Sequence, residues 1–212
     1  MAEIDHLVVA GGDLARLTEW FALASGVEPA PGGAHPGIGT RNALVSLGER
    51  CYLELIAPDP DQPEPGRPRP FGIDDLAPGT HQLVTFALAV SDLDQAVARL
   101  AAVSIDLGRV RAMSRTRPDG VDLSWRLTES ESAFGEHGGA LPFLIEWAAG
   151  TPHPASSAPA GCTITRFSVR HPEPDRVEPA FEVLGFQVPV VGGGPAGVAV
   201  QLETPRGGLE LG

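Results

Sequence analysis

One pattern recurs along the chain and restricts its fold more than any single segment does: a short apolar strand, a capped helix, then further strands. Residues 4–10 are strand-like, Gly11 and Gly12 break the run, and Asp13 stands where a helix N-cap belongs. Leu14, Leu17, Phe21 and Leu23 then share roughly one helical face until Gly26, and strand-like runs follow at residues 42–47 and 51–57. The same order returns with the run 83–90, the cap Ser91-Asp92, a helix over about 93–104, and strands near 121–127 and 143–148. A third copy opens at 163–169, passes through a helix near 174–184 and ends with strands near 198–203 and 209–211.

A single βαβββ unit leaves a sheet face uncovered and must bury it against another copy, so the recurrence predicts an α+β fold of paired modules. The spacers 58–78, rich in proline and aspartate, and 151–161, rich in proline, alanine and serine, divide the chain near 1–78, 79–155 and 156–212. Superposing Asp13-Leu14 on Asp92-Leu93 sets His6 against Thr85, and Arg166 takes that place in the third copy.

Composition narrows the function. The chain has 212 residues and a formal charge of −12, and this acidic balance opposes a nucleic-acid partner, which needs clustered positive charge. All 15 basic residues are arginine, which excludes a lysine Schiff base or a lysine general base. Cys51 and Cys162 lie in apolar runs with no CxxC spacing and read as small buried thiols. No secretory signal precedes Ile4 and no apolar run reaches membrane-spanning length, so a soluble cytoplasmic protein without a membrane partner is expected.

With the modules set out, Ile4-Asp5-His6-Leu7-Val8 followed by Asp13-Leu14, and Tyr52-Leu53-Glu54-Leu55-Ile56, resemble the glyoxalase and bleomycin-resistance proteins of the vicinal oxygen chelate superfamily. The resemblance covers roughly the first 150 residues. It is closest to the glyoxalase-like proteins through residues 33–42, 113–120 and 141–147. It implies βαβββ modules paired into a U-shaped mixed sheet around a pocket, with helices outside. Many such relatives hold a divalent metal there and polarise vicinal oxygens of a small substrate. Carried over residue by residue, the metal ligands would be His6, Glu54 and Glu146, with no organic cofactor.

The departure is Thr85, a hydroxyl where metal-binding relatives often place a second histidine. His81 cannot stand in, because four residues of strand displace it by about 13 Å.

Glu54 and Glu146 each sit among apolar strand residues, where an unpaired buried carboxylate costs several kcal/mol or takes up a proton. Either each has a partner in a shared pocket, or each lies on a solvated sheet face. His6 is equally readable as a hydrogen-bonded core residue. His35 belongs to a glycine-rich loop, either at the pocket mouth as an acid or base or in a plain connector. Arg115 is a candidate fork for an anionic substrate group, while Arg117 reads as a surface residue near the turn Pro118-Asp119-Gly120. Trp125, Thr85 and Arg41 complete the expected substrate contacts, with Glu146 and His35 as the expected catalytic pair. Trp125 and Trp147 are alternatively core residues.

Two functions follow. One is a lyase or isomerase acting on a small oxygenated metabolite, metal-assisted or not. The other is a metal-free protein that binds or sequesters a small molecule. The segment after Gly161 is open to a structural role, covering a sheet edge or forming a homodimer contact.

Overall fold

The computed structural model describes residues 2–117, 119–130 and 137–212; Pro118 of the expected turn lies outside them. The first stretch of chain forms strand β1 (Glu3–Gly11), helix α1 (Leu14–Ser25) and strands β2 (Ala30–His35), β3 (Thr40–Gly48) and β4 (Cys51–Pro58). The second forms β5 (His81–Ala89), α2 (Leu93–Ala101), β6 (Arg109–Thr116), β7 (Asp122–Glu129) and β8 (Phe143–Trp147). The last forms β9 (Thr163–His171), α3 (Glu178–Leu184), β10 (Val190–Gly192), β11 (Gly197–Thr204) and β12 (Gly207–Leu211).

Local chemistry sets the helix starts. The Asp13 carboxylate accepts a hydrogen bond from the Arg16 backbone N–H and the Asp92 carboxylate accepts one from Gln95, satisfying donors that a first turn leaves open. Gly26 ends α1 in the left-handed region at φ 79°, a conformation that glycine adopts without steric cost.

Strands β1 to β8 make one sheet in the order β2-β3-β4-β1-β5-β8-β7-β6. The two halves join through the antiparallel pair β1 and β5, with β4 and β8 lying parallel on either side. The sheet curls until its edges approach, and the Arg115 guanidinium of β6 donates to the Gly32 carbonyl of β2. Gly33, at φ 136°, keeps that seam open to close approach, since a Cβ there would come within 3.2 Å of the Thr116 carbonyl oxygen.

Two of these strands escape the expectations. Residues 30–35 form an edge strand rather than a loop, and an edge tolerates Pro31 because its missing N–H is not needed by a second neighbour. Strand β6 is mostly exposed and carries little alternation, so periodicity could not reveal it.

The remaining strands form a second sheet, β10-β9-β11-β12. It shares a core with the outer face of the large sheet and with its helices: Leu7, Leu53, Phe86 and Leu144 join Phe181, Val198, Val200 and Leu202 in one apolar cluster. The Phe86 and Phe167 rings meet edge to face with centroids 4.9 Å apart. Arg166 and Glu210 are both exposed on this sheet, away from the cavity described next.

Candidate functional site

The inner face of the curled sheet encloses a cavity of about 650 Å³. Strand alternation decides which residues reach it. On β4, Leu53 and Leu55 point outward into the main core, while Tyr52, Glu54 and Ile56 point inward. On β8, Leu144 points outward and Phe143, Ile145 and Trp147 line the cavity. Segment 67–71 closes one side, with Phe71 directed into the space.

His6 enters the cavity from β1 with an unusual neighbour. Pairing with β5 shifts register between Ile4 and His6, a β-bulge centred on Asp5 that turns two consecutive side chains to one face. The His6 Nδ1–H donates to Asp5 Oδ1 at 2.6 Å. Asp5 Oδ2 accepts from the Trp147 indole at 2.8 Å and meets His153 Nε2 at 3.1 Å. Burial alone would raise the Asp5 pKa, but the hydrogen bonds from His153, His6 and Trp147 together hold it well below the usual carboxylate range. The His6 ring is fixed between Tyr52, stacked at 4.5 Å, and Phe143, edge-on at 5.2 Å. Its Nε2 therefore faces the cavity, 3.8 Å from Glu54 Oε2.

Glu54 is 7% exposed, and its other oxygen is taken: Asn42 Nδ2 donates to Oε1 at 2.6 Å. The same amide lies 3.3 Å from His35 Nε2, which must then accept, leaving the His35 Nδ1–H to donate to Thr40 Oγ1 at 2.9 Å. Burial pushes the His35 pKa below the ordinary histidine value, with Arg115 adding to the effect and Glu54 opposing it, in keeping with that neutral tautomer. Arg115 is buried on the same side, and burial lowers its pKa while Tyr52 and Glu54 oppose the shift.

The structure thus brings His6, His35, Glu54, Thr85, Arg115 and Trp125 to one cavity. It separates two other expected residues from it. Glu146 alternates outward between Ile145 and Trp147, where Arg126 holds it at 2.5 Å and in turn reaches Asp94 of α2 at 3.0 Å. Arg41 alternates outward between Thr40 and Asn42 and lies 3.7 Å from Asp61. The expected catalytic role of Glu146 and substrate role of Arg41 are corrected accordingly, because a period of two sends every second side chain away from the cavity.

Pairing register shows what replaces Glu146. Leu7 faces Phe86, with His6 opposite Ala87 and Val8 opposite Thr85, so a local two-fold axis interchanges His6 with Thr85. Val8 lies beside Glu54 and Ala87 beside Phe143, so the same axis interchanges Glu54 with Phe143. A second bulge leaves Val84 unpaired on β5, matching Asp5. The second module therefore presents Val84, Thr85 and Phe143 where the first presents Asp5, His6 and Glu54.

This donor set does not fit the expected metal. Of His6, Glu54 and Glu146, the last is outside the cavity, and the two-fold partners of the others are a hydroxyl and a phenyl ring. His35 does not complete a set, since the Asn42 amide already occupies both its Nε2 and Glu54 Oε1. Among the described residues, no group of three or more His, Cys, Asp or Glu side chains is arranged to hold a metal ion.

Sequence reasoning missed Asp5, Asn42 and His153. A carboxylate beside a histidine within an apolar strand was a signal for Asp5, but regular alternation sends neighbours to opposite faces and the bulge is tertiary.

Comparison with a solved structure supports the architecture. A hypothetical protein from Staphylococcus aureus matches at TM-score 0.62 and 14% identity, covering 99% of this chain and 85% of that one. Methylmalonyl-CoA epimerase from Mycobacterium tuberculosis matches at TM-score 0.41 and 22% identity, covering 68% of this chain and 87% of its own. The Streptomyces coelicolor epimerase, as a single-site variant in complex with 2-nitronate-propionyl-CoA, matches at TM-score 0.42 and 20% identity, covering 73% of this chain and 99% of its own. No curated protein sequence matches the chain. The model of the glyoxalase-like domain matches residues 4–185, and the chain belongs to that family.

Proposed function

We propose that the protein is an isomerase or lyase that moves a proton next to a carbonyl group in this cavity, without a metal. The reading rests on one observation: His6 Nε2 and Glu54 Oε2 face each other across 3.8 Å inside a buried pocket, the imidazole aligned from behind by Asp5. A substrate seated in the cavity against both groups offers its C–H to the Glu54 carboxylate. The C–H electron pair moves into an enolate, and the Arg115 guanidinium neutralises the developing oxyanion charge. Return of that proton from the Glu54 carboxyl to another carbon of the delocalised enolate completes an isomerisation. Loss of a group from the neighbouring carbon instead completes an elimination. His6, whose Nδ1–H is held by Asp5, relays protons through Nε2.

A second reading, a ligand-sequestering protein without chemistry, is favoured by the apolar half of the cavity at Phe143, Trp125 and Leu127. Deuterium exchange decides between them. A panel of 2-oxo and 3-oxo acids is incubated with the protein in D₂O and α-hydrogen loss is followed by proton NMR. Exchange into at least one member is expected, falling about 10²–10⁴-fold in Glu54→Gln and persisting in Glu146→Ala. Exchange equal in wild type and Glu54→Gln, or none with any member, would overturn the enzymatic reading.

A further inference from the structure

The cavity is lopsided, and the asymmetry bears on what it holds. The imidazoles, amide and carboxylate grouped at one end, His6, His35, Asn42 and Glu54, come from the first module, with Arg115 of the second beside them, while Asp106, Arg109, Arg111, Glu129 and His137 of the second module line the cavity elsewhere. The positions that the local two-fold axis makes equivalent carry Thr85 and Phe143, and around them Met113, Trp125, Leu127 and Ile145 continue an apolar wall. From the closing segment, Phe71 approaches Phe143 at a centroid distance of 6.0 Å. Phe71 sits at φ 62°, in the left-handed region that a residue with a Cβ seldom occupies, so the backbone is strained at the point that turns this ring inward.

Size points the same way. A cavity of about 650 Å³ falls within the ~300–1,000 Å³ that hosts drug-sized ligands, so a three- or four-carbon acid would leave most of the wall in contact with water. Aromatic rings and a methionine sulfur offer flat, polarisable surface suited to a ring system.

We infer that the substrate is amphipathic, with an oxygenated, anionic head against His6, Glu54 and Arg115 and a bulky apolar body, aromatic by preference, seated on Met113, Trp125, Leu127 and Phe143. This deepens the proton-transfer reading and rests on it for the chemistry of the head. The body subsite is separately testable.

The test is calorimetric titration of the whole chain with pyruvate, phenylpyruvate and 3-(2-naphthyl)pyruvate, which share one head. Affinity is expected to rise about ten- to hundredfold from pyruvate to phenylpyruvate, the burial of one ring, and to rise again with naphthyl. Trp125→Ala removes part of the wall and Met113→Trp fills the space. Each is expected to abolish the gain along the series, with circular dichroism checking the fold, and either folded variant suffices. Equal affinity along the series, no binding even of the naphthyl acid, or a preference surviving both substitutions would overturn the inference. The deuterium-exchange assay separates the two readings: a flat series with intact exchange defeats only the apolar body, whereas a graded series without exchange defeats only the proton-transfer chemistry.

Discussion

The imidazole of His6 and the carboxylate of Asp5 are bonded at 2.6 Å although the two residues are consecutive in one strand. A regular strand would send them to opposite faces, and the bulge at Asp5 puts both on the inner one. Asp5 has no solvent exposure, so its charge is supported entirely by the hydrogen bonds from His6, Trp147 and His153.

Replacing it should therefore be costly in a pH-dependent way. The Asp5 pKa is depressed in the folded state, so the stability it contributes is complete above the unfolded carboxylate value and is lost as pH falls below it. Asp5→Asn is expected to destabilise by about 1.5–3 kcal/mol at pH 7, the range for hydrogen bonds to a charged group. Urea unfolding at a series of pH values should show the gap between wild type and variant narrowing below about pH 4.

His35 gives a second pH signature at milder acidity. Burial lowers its pKa, so protonation is resisted in the folded state. Sign and window follow from the shift: stability is complete above the unfolded histidine value of about 6.5 and declines as pH falls through the folded value. NMR titration of the His35 ring should give a midpoint below 6.5. In His35→Gln, the loss of stability between about pH 6.5 and 5 should be smaller than in wild type.

The metal reading can be tested by restoration. Wild type is expected to take up no stoichiometric zinc, and its deuterium exchange should survive EDTA. Thr85→His with Phe143→Glu would supply, opposite His6 and Glu54, the two donors that the local symmetry calls for. That double variant is expected to bind zinc and to gain about 2.7 kcal/mol of stability at a hundredfold excess over its dissociation constant. Metal analysis and thermal unfolding check both claims.

Arg115 closes the seam between β6 and β2 and also lines the cavity. Arg115→Gln leaves the Gly32 carbonyl without this donor and should cost about 1–3 kcal/mol. Arg115→Lys should rescue little, because one ammonium on a flexible stem cannot reproduce a planar fork. The midpoint of urea unfolding measures both.

Much of the frame was legible because it is local. Asp13 and Asp92 cap the first two helices as their positions suggest, and the apolar runs around Leu7, Leu53 and Phe86 are strands of the core. The site was only half legible. His6 and Glu54 stand together, but the family resemblance and the equivalent place in the second module match Glu146 to Glu54, whereas the register of β8 against β5 puts Phe143 there. His35 was recognised as notable inside what read as a glycine-rich loop, because glycine and proline signal turns as readily as a protected edge strand.

By itself the sequence determined the recurrence and every element that caps, periodicity or an apolar run marks, since these act over a few residues, but not the edge strand β2 or the exposed strand β6. Tertiary structure alone decided which carboxylate faces the cavity, that Asp5 and His6 share a face, and that Asn42 joins Glu54 to His35. Those outcomes depend on strand register and on one bulge, and a shift of a single residue in either would turn every side chain concerned to the other side of the sheet.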